Sequence, residues 1–216
     1  MMRHAASRHL YAYWNRLRRD RPAPQRSEID PAAIRDILSY TFMLELDENL
    51  GFPIRLAGAR INALFNHELK GSSFITLWRE REAASMAVLL PRILYHACPI
   101  VARVTAAPSG HDESAFELLL LPLACDTMAQ GRILGTLAGF DHPAWLGLLP
   151  VEHLTLRSLR QLPHMTRNDS ASPQQDLPTA RARIRQNLAV FPSGGQPVSR
   201  YGHLRVYSGG RQDALA

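Results

Sequence analysis

The stretch Phe52-Pro-Ile-Arg-Leu-Ala-Gly58, continued by Arg60-Ile-Asn-Ala-Leu-Phe65 and by Glu68-Leu-Lys-Gly71-Ser-Ser-Phe74-Ile-Thr-Leu-Trp78, decides the fold. Phe52, Ile54 and Leu56 alternate with Pro53 and Arg55, the period of a half-buried strand. Within a few residues the period changes. Ile61, Leu64 and Phe65 make a helical stripe. Asn66 follows it, the residue type that best tolerates a left-handed backbone after glycine. Gly71 stands in a tight turn where a positive φ costs glycine little. A strand thus passes directly into short helices.

Upstream, Phe42, Leu44 and Leu46 alternate with Met43, Glu45 and Asp47, and Glu48 to Gly51 supplies turn residues, so a hairpin is expected. Ser7 to Arg19 reads as an amphipathic helix with Leu10, Tyr13, Trp14 and Leu17 on one face. Asp30 before Pro31 is an N-cap followed by a proline at the first helical position, and predicts a short helix to about Leu38. Downstream, Glu80 to His96 is helical with Met86, Leu89, Leu90, Ile93 and Leu94 on the apolar side. Pro91 predicts a kink or a split there. Three strands are expected over Ile100 to Thr105, Ser114 to Leu123 and Ile133 to Phe140, the second central because it is nearly all apolar. Gly135 and Gly139 leave room for close packing. A helical turn is expected around Val151 to Leu159. Residues 163–179 read as a linker, Ala180 to Val190 as a marginal helix, and His203 to Tyr207 as a strand.

The predicted class is α+β: a five-stranded antiparallel sheet flanked by helices, with an N-terminal amphipathic helix and a low-order C-terminal tail. Three parts are expected: residues 1–27 as helix and linker, 28–162 as the domain, and 163–216 as linker and basic tail.

Net charge is +6, carried by 24 Arg and a single Lys, Lys70. Residues 1–26 hold seven Arg against Asp20, residues 27–160 hold eleven bases against fifteen acids, and residues 161–216 hold seven Arg against three Asp. The body is mildly acidic and the ends are basic, which argues against an electropositive folded groove. Cys98 and Cys125 cannot make a disulfide framework or a zinc site. No stretch has the length of a membrane span, and Arg16, Arg18 and Arg19 interrupt any signal-peptide core, so a cytoplasmic protein is expected. No GxSxG, P-loop, GxGxxG or HExxH motif occurs, and an enzyme is not expected.

With Tyr13-Trp14, Asp30-Pro31-Ala-Ala-Ile34, Glu117-Leu-Leu-Leu-Leu-Pro-Leu123 and Trp145-Leu-Gly147 added in order, the quoted stretch resembles the PAS domain superfamily, in particular a bacterial subfamily of stand-alone PAS proteins, over about residues 8–160. The resemblance implies a sensory or regulatory module that acts by protein–protein interaction in signalling, gated by a small ligand in some members. It implies as partner a histidine kinase or another PAS protein of a phosphorelay. A pocket is expected among Phe42, Phe65, Trp78 and Phe116, whose plainer reading is ordinary core. Helix residues Leu10, Tyr13, Trp14 and Leu17 are the expected interaction face, with a homodimer through that helix. No cofactor is required by the sequence, and the identity of any ligand is unknown. Haem, which the family accommodates, needs an axial ligand. His96 is the candidate, against the plainer reading of a histidine at a helix's carbonyl end. The light-sensing flavin site needs cysteine in an Asn-Cys-Arg-Phe setting, which His96-Ala-Cys-Pro99 does not match. The alternative function is a nucleic-acid-associated regulator using the Arg-rich N-terminal and C-terminal arms.

Overall fold

A computed structural model describes residues 2–47, 51–124, 131–163, 200–201 and 204–207. Helix α1 spans Ala5–Arg18, and a 3-10 helix over Pro31–Tyr40 leads into strand β1, Thr41–Glu45. Strand β2 (Ile54–Ala57), helix α2 (Ala59–Phe65), a 3-10 turn (Phe74–Leu77) and helix α3 (Glu80–Tyr95) form the middle. Then follow β3 (Ile100–Ala106), β4 (Ser114–Leu123), β5 (Arg132–Gly139) and β6 (Thr155–Gln161).

These six strands form one antiparallel sheet in the order β2-β1-β5-β4-β3-β6. Beyond β6 the backbone of β8 (Leu204–Tyr207) pairs with it in parallel, and β7 (Arg200–Tyr201) pairs with β8. The expected linker, the expected helix at 180–190 and most of the expected tail, with Cys125 and the hairpin tip at 48–50, lie outside the described residues.

Local chemistry explains the element ends. Asp30 caps the 3-10 helix, its carboxylate accepting the Ala32 N–H at 2.9 Å. α2 ends on Asn66 at φ 56°, and Gly71 takes φ 86°, the two left-handed positions expected from residue type. Glu80 and Glu82 occupy the first turn of α3, where the helix dipole favours them.

Two expectations are corrected. α3 is one helix, not split at Pro91. The proline forgoes one backbone hydrogen bond, but Met86, Leu90, Ile93 and Leu94 keep a continuous buried stripe on either side of it. The segment around Val151 to Leu159 is not a helical turn: from Thr155 it is strand β6 (Thr155–Gln161), after an extended approach with a single bridge at Leu154. Its leucines misled by their spacing: Leu156 and Leu159 lie three apart, as on a helix. A bulge opposite Arg103 and Val104 inserts one residue and returns both leucines to the same sheet face. The sheet accordingly has a strand more than expected.

Strand alternation sorts the side chains into two cores. Phe42, Leu44, Val104, Phe116, Leu118, Leu120, Ile133 and Leu137 face α2 and α3. Met43, Val101, Leu119, Leu121, Leu134 and Ala138 face α1 and the 3-10 helix. Helix α1 therefore shares a core with the sheet and packs as part of the same domain. Where β4 runs past the start of β3, Pro122 needs no N–H partner, and its carbonyl accepts the Trp14 indole N–H at 2.8 Å.

Candidate functional site

The inner core holds all four residues expected around a pocket. Phe42 stacks on Phe74 at 5.3 Å between ring centres, and Phe74 meets Trp78 edge-on at 5.8 Å. Phe42, Phe65, Trp78 and Phe116 are all buried. They are packed, not spread around a void. The cavity beside them, between Tyr40, Leu64, Phe116 and Leu137, has a volume of about 20 Å3, room for a single water. The Trp78 indole N–H finds no acceptor among the described residues, although the ring itself is enclosed.

The residues do not fit haem. His96 is exposed at the C-terminal cap of α3 with its ring against Tyr95, outside the core, so the axial-ligand candidacy is withdrawn. No other histidine among the described residues is buried in that core. Burial pushes the Cys98 thiol up to about 12, which leaves it un-ionised and packed as a small apolar group.

The opposite face has a different chemistry. Glu117 lies in the middle of β4, 5% exposed, and its two carboxylate oxygens accept the backbone N–H groups of Arg3 at 2.7 Å and His4 at 3.0 Å. The His4 Nδ1 in turn accepts the Ala6 N–H at 3.1 Å and so caps α1. Its ring sits between Tyr40 and Phe140. Burial holds the His4 pKa below the ordinary value, against the opposing pull of the Glu117 carboxylate. Further along the helix, the Ser7 and Thr136 hydroxyls share a buried hydrogen bond of 3.2 Å, and the Tyr13 hydroxyl accepts the Asp30 N–H at 2.8 Å.

The residues expected to greet a partner are thus engaged by the chain itself. Leu10, Tyr13 and Trp14 are buried and Leu17 is partly buried, all against the outer sheet core. A homodimer through this face would require α1 to leave the sheet first. The same burial removes Tyr13 and Trp14 from any stacking on bases. The basic leader is no free arm either. Arg18 lies over Trp14 at 5.5 Å and donates to Asn15, and Arg21 pairs with Glu28 at 2.7 Å, holding that carboxyl below the usual range.

Elsewhere, an open cleft of about 520 Å3 lies between Arg79, Glu80, His111, Glu113, Glu152 and His153. Its charges are mixed, and the described residues contain no group of three or more His, Cys, Asp or Glu side chains able to hold a metal ion. No helix among the described residues is long and apolar enough to cross a membrane.

The element order, the six-stranded antiparallel sheet and the helix laid on its outer face now stand together, and a family model of the PAS domain matches residues 2–138 of the chain. The chain belongs to the PAS domain family. Comparison with curated proteins gives no match. The PAS match starts ahead of α1, so the residues bound by Glu117 lie inside it, and it ends in β5, before β6. PAS domains are in general sensory or regulatory modules and not catalysts, and they commonly mediate protein interactions. Sequence reasoning did not find His4 or Glu117 as a pair. The available signal was Glu117 itself, a lone charge in the apolar run Ala115 to Ala124.

Proposed function

We propose that this chain is a regulatory PAS module that works by protein–protein contact, with α1 and the sheet face beneath it as the element that changes. The observation that carries this reading is the asymmetry of packing. Both sheet faces bury apolar cores, but on the outer face α1 is held in addition by directional polar contacts to Glu117, Thr136 and the Pro122 carbonyl. A ligand or partner that prefers the undocked arrangement would draw the population toward it. The partner class that fits is a signalling protein, a histidine kinase or another PAS protein of a phosphorelay. A small ligand would act on the same equilibrium only by opening the packed inner core between α2, α3 and the sheet, whose cavity has room for one water.

The test is recovery of the full chain from its native cell after gentle crosslinking, followed by a phosphotransfer assay. A co-recovered kinase whose autophosphorylation rate changes on adding the purified chain is the expected result. Recovery of no signalling protein, together with turnover of a substrate by the chain alone, would overturn the reading. Native mass spectrometry and a visible spectrum of the purified chain report the ligand: a mass above that of the bare chain identifies a gating molecule.

A further inference from the structure

His4 carries two hydrogen-bonding ring nitrogens, and the structure commits one of them. Nδ1 accepts the Ala6 amide, so the proton of the neutral ring resides on Nε2. A second proton can enter only at Nδ1, the lone pair that caps the helix. Capping and protonation are therefore mutually exclusive. We propose that His4 and Glu117 form a proton-operated latch that holds α1 on the sheet when His4 is neutral and loosens it when His4 is charged.

Every charged or titratable neighbour of the ring bears on this. From its own segment come Arg3 and Arg8, both cationic. From β4 comes Glu117, whose oxygens are already engaged by the Arg3 and His4 amides. The 3-10 helix contributes Tyr40, over which the Arg60 guanidinium of α2 lies at 4.9 Å. The loop after β5 contributes Phe140 and His142, and Arg60 donates to His142 Nε2 at 2.9 Å when that ring is neutral. Arg103 on β3 is the register partner of Glu117 and lies 6.0 Å from the Phe140 ring centre. Arg8 and His142 disfavour an added positive charge, and Glu117 favours it. An imidazolium that turned toward that carboxylate would compete with the two amides for the same oxygens. Either route weakens the latch.

The sign follows from burial. The docked ring titrates below the ordinary histidine value of 6.5, so its contribution to docking is complete above that pH. It is lost progressively as pH falls from there through the lower value of the docked ring.

The deciding measurement is hydrogen exchange by mass spectrometry on the full chain at about pH 8 and about pH 5.5, spanning the histidine range and corrected for the intrinsic pH dependence of exchange. Amides of α1 should lose protection about fivefold relative to those of α3, the scale of a lost helix cap. His4→Ser keeps a capping oxygen without a titrating group and should show less than about a twofold change. Glu117→Gln should lower α1 protection at both pH values. A flat wild-type profile, a His4→Ser profile that follows the wild type, or equal losses in α1 and α3 would each overturn the latch. Its consequence for a partner rests on the function proposed above, but exchange is measured on the chain alone. Failure of the latch leaves that function standing, and absence of a partner leaves the latch standing.

Discussion

The two faces of the sheet are assembled by different chemistry. The inner face meets α2, α3 and the Phe74 turn through aromatic and aliphatic side chains, among them the stacked pair Phe42 and Phe74 with Trp78 edge-on to Phe74. Such a contact is non-directional and depends on volume. The outer face also buries leucines, yet at intervals it sets a carboxylate, a hydroxyl or a carbonyl against a particular donor of α1. Those contacts depend on angle and protonation as well as area. Both faces bury an apolar core, and the outer one adds contacts that a change of angle or protonation can weaken.

Substitutions can break this division, and the largest effect belongs to the inner face. Phe74→Ala should cost about 3–5 kcal/mol and lower the stability of the whole domain in a single denaturant transition. Trp14→Ala removes a side chain at least as large, but its cost is capped by the free energy with which α1 holds the sheet. The Tm should fall less than for Phe74→Ala, and trypsin should cut at Arg16 or Arg18 while the sheet survives. Global unfolding by Trp14→Ala would show that the two faces are one cooperative unit. Glu117→Ala strands two amides and should cost about 1–3 kcal/mol, read as earlier proteolysis of α1. Ser7→Ala leaves the Thr136 hydroxyl alone at a loss of about 1 kcal/mol, and the added Thr136→Val should recover most of it, a coupling visible in a double-mutant cycle. Smallest is Arg55→Ala, which removes an exposed pair with Glu45 and should stay within about 0.5 kcal/mol by chemical denaturation.

Much of the fold was legible because its signals are local. The αL position of Asn66, the Asp30 cap and the close approach at Gly135, where an added Cβ would meet Phe42 Cζ at 2.4 Å and the Leu119 carbonyl oxygen at 2.5 Å, each follow from one residue and its neighbours. Strand β6 was misread because a bulge altered its phase, and bulges are set by the partner strand. Phe42, Phe65, Trp78 and Phe116 all lie in the inner core, but sequence does not show whether grouped aromatics surround a space or fill it. Helix α1 was recognised, with its apolar face identified, while the owner of the surface covering that face was not legible. The partner proved to be the chain's own β4 and β5, more than a hundred residues away. His4 and Glu117 stayed hidden for the same reason.

Pro122 has one more consequence. Past the start of β3, the β3-facing side of β4 is covered by α1 and the segment after it: the buried Pro122 carbonyl accepts the Trp14 indole, and the Pro24 carbonyl takes the Ala124 N–H at 2.7 Å. Were that side of an apolar central strand uncovered, it would be a template for pairing with a strand of another molecule. The proline withholds the donor such pairing would require, and the Pro24 segment occupies the next one. A chain with α1 lifted away would therefore bare its leucines without offering a ready seed for aggregation. On this reading Pro122 guards the strand in the one arrangement in which α1 no longer covers it.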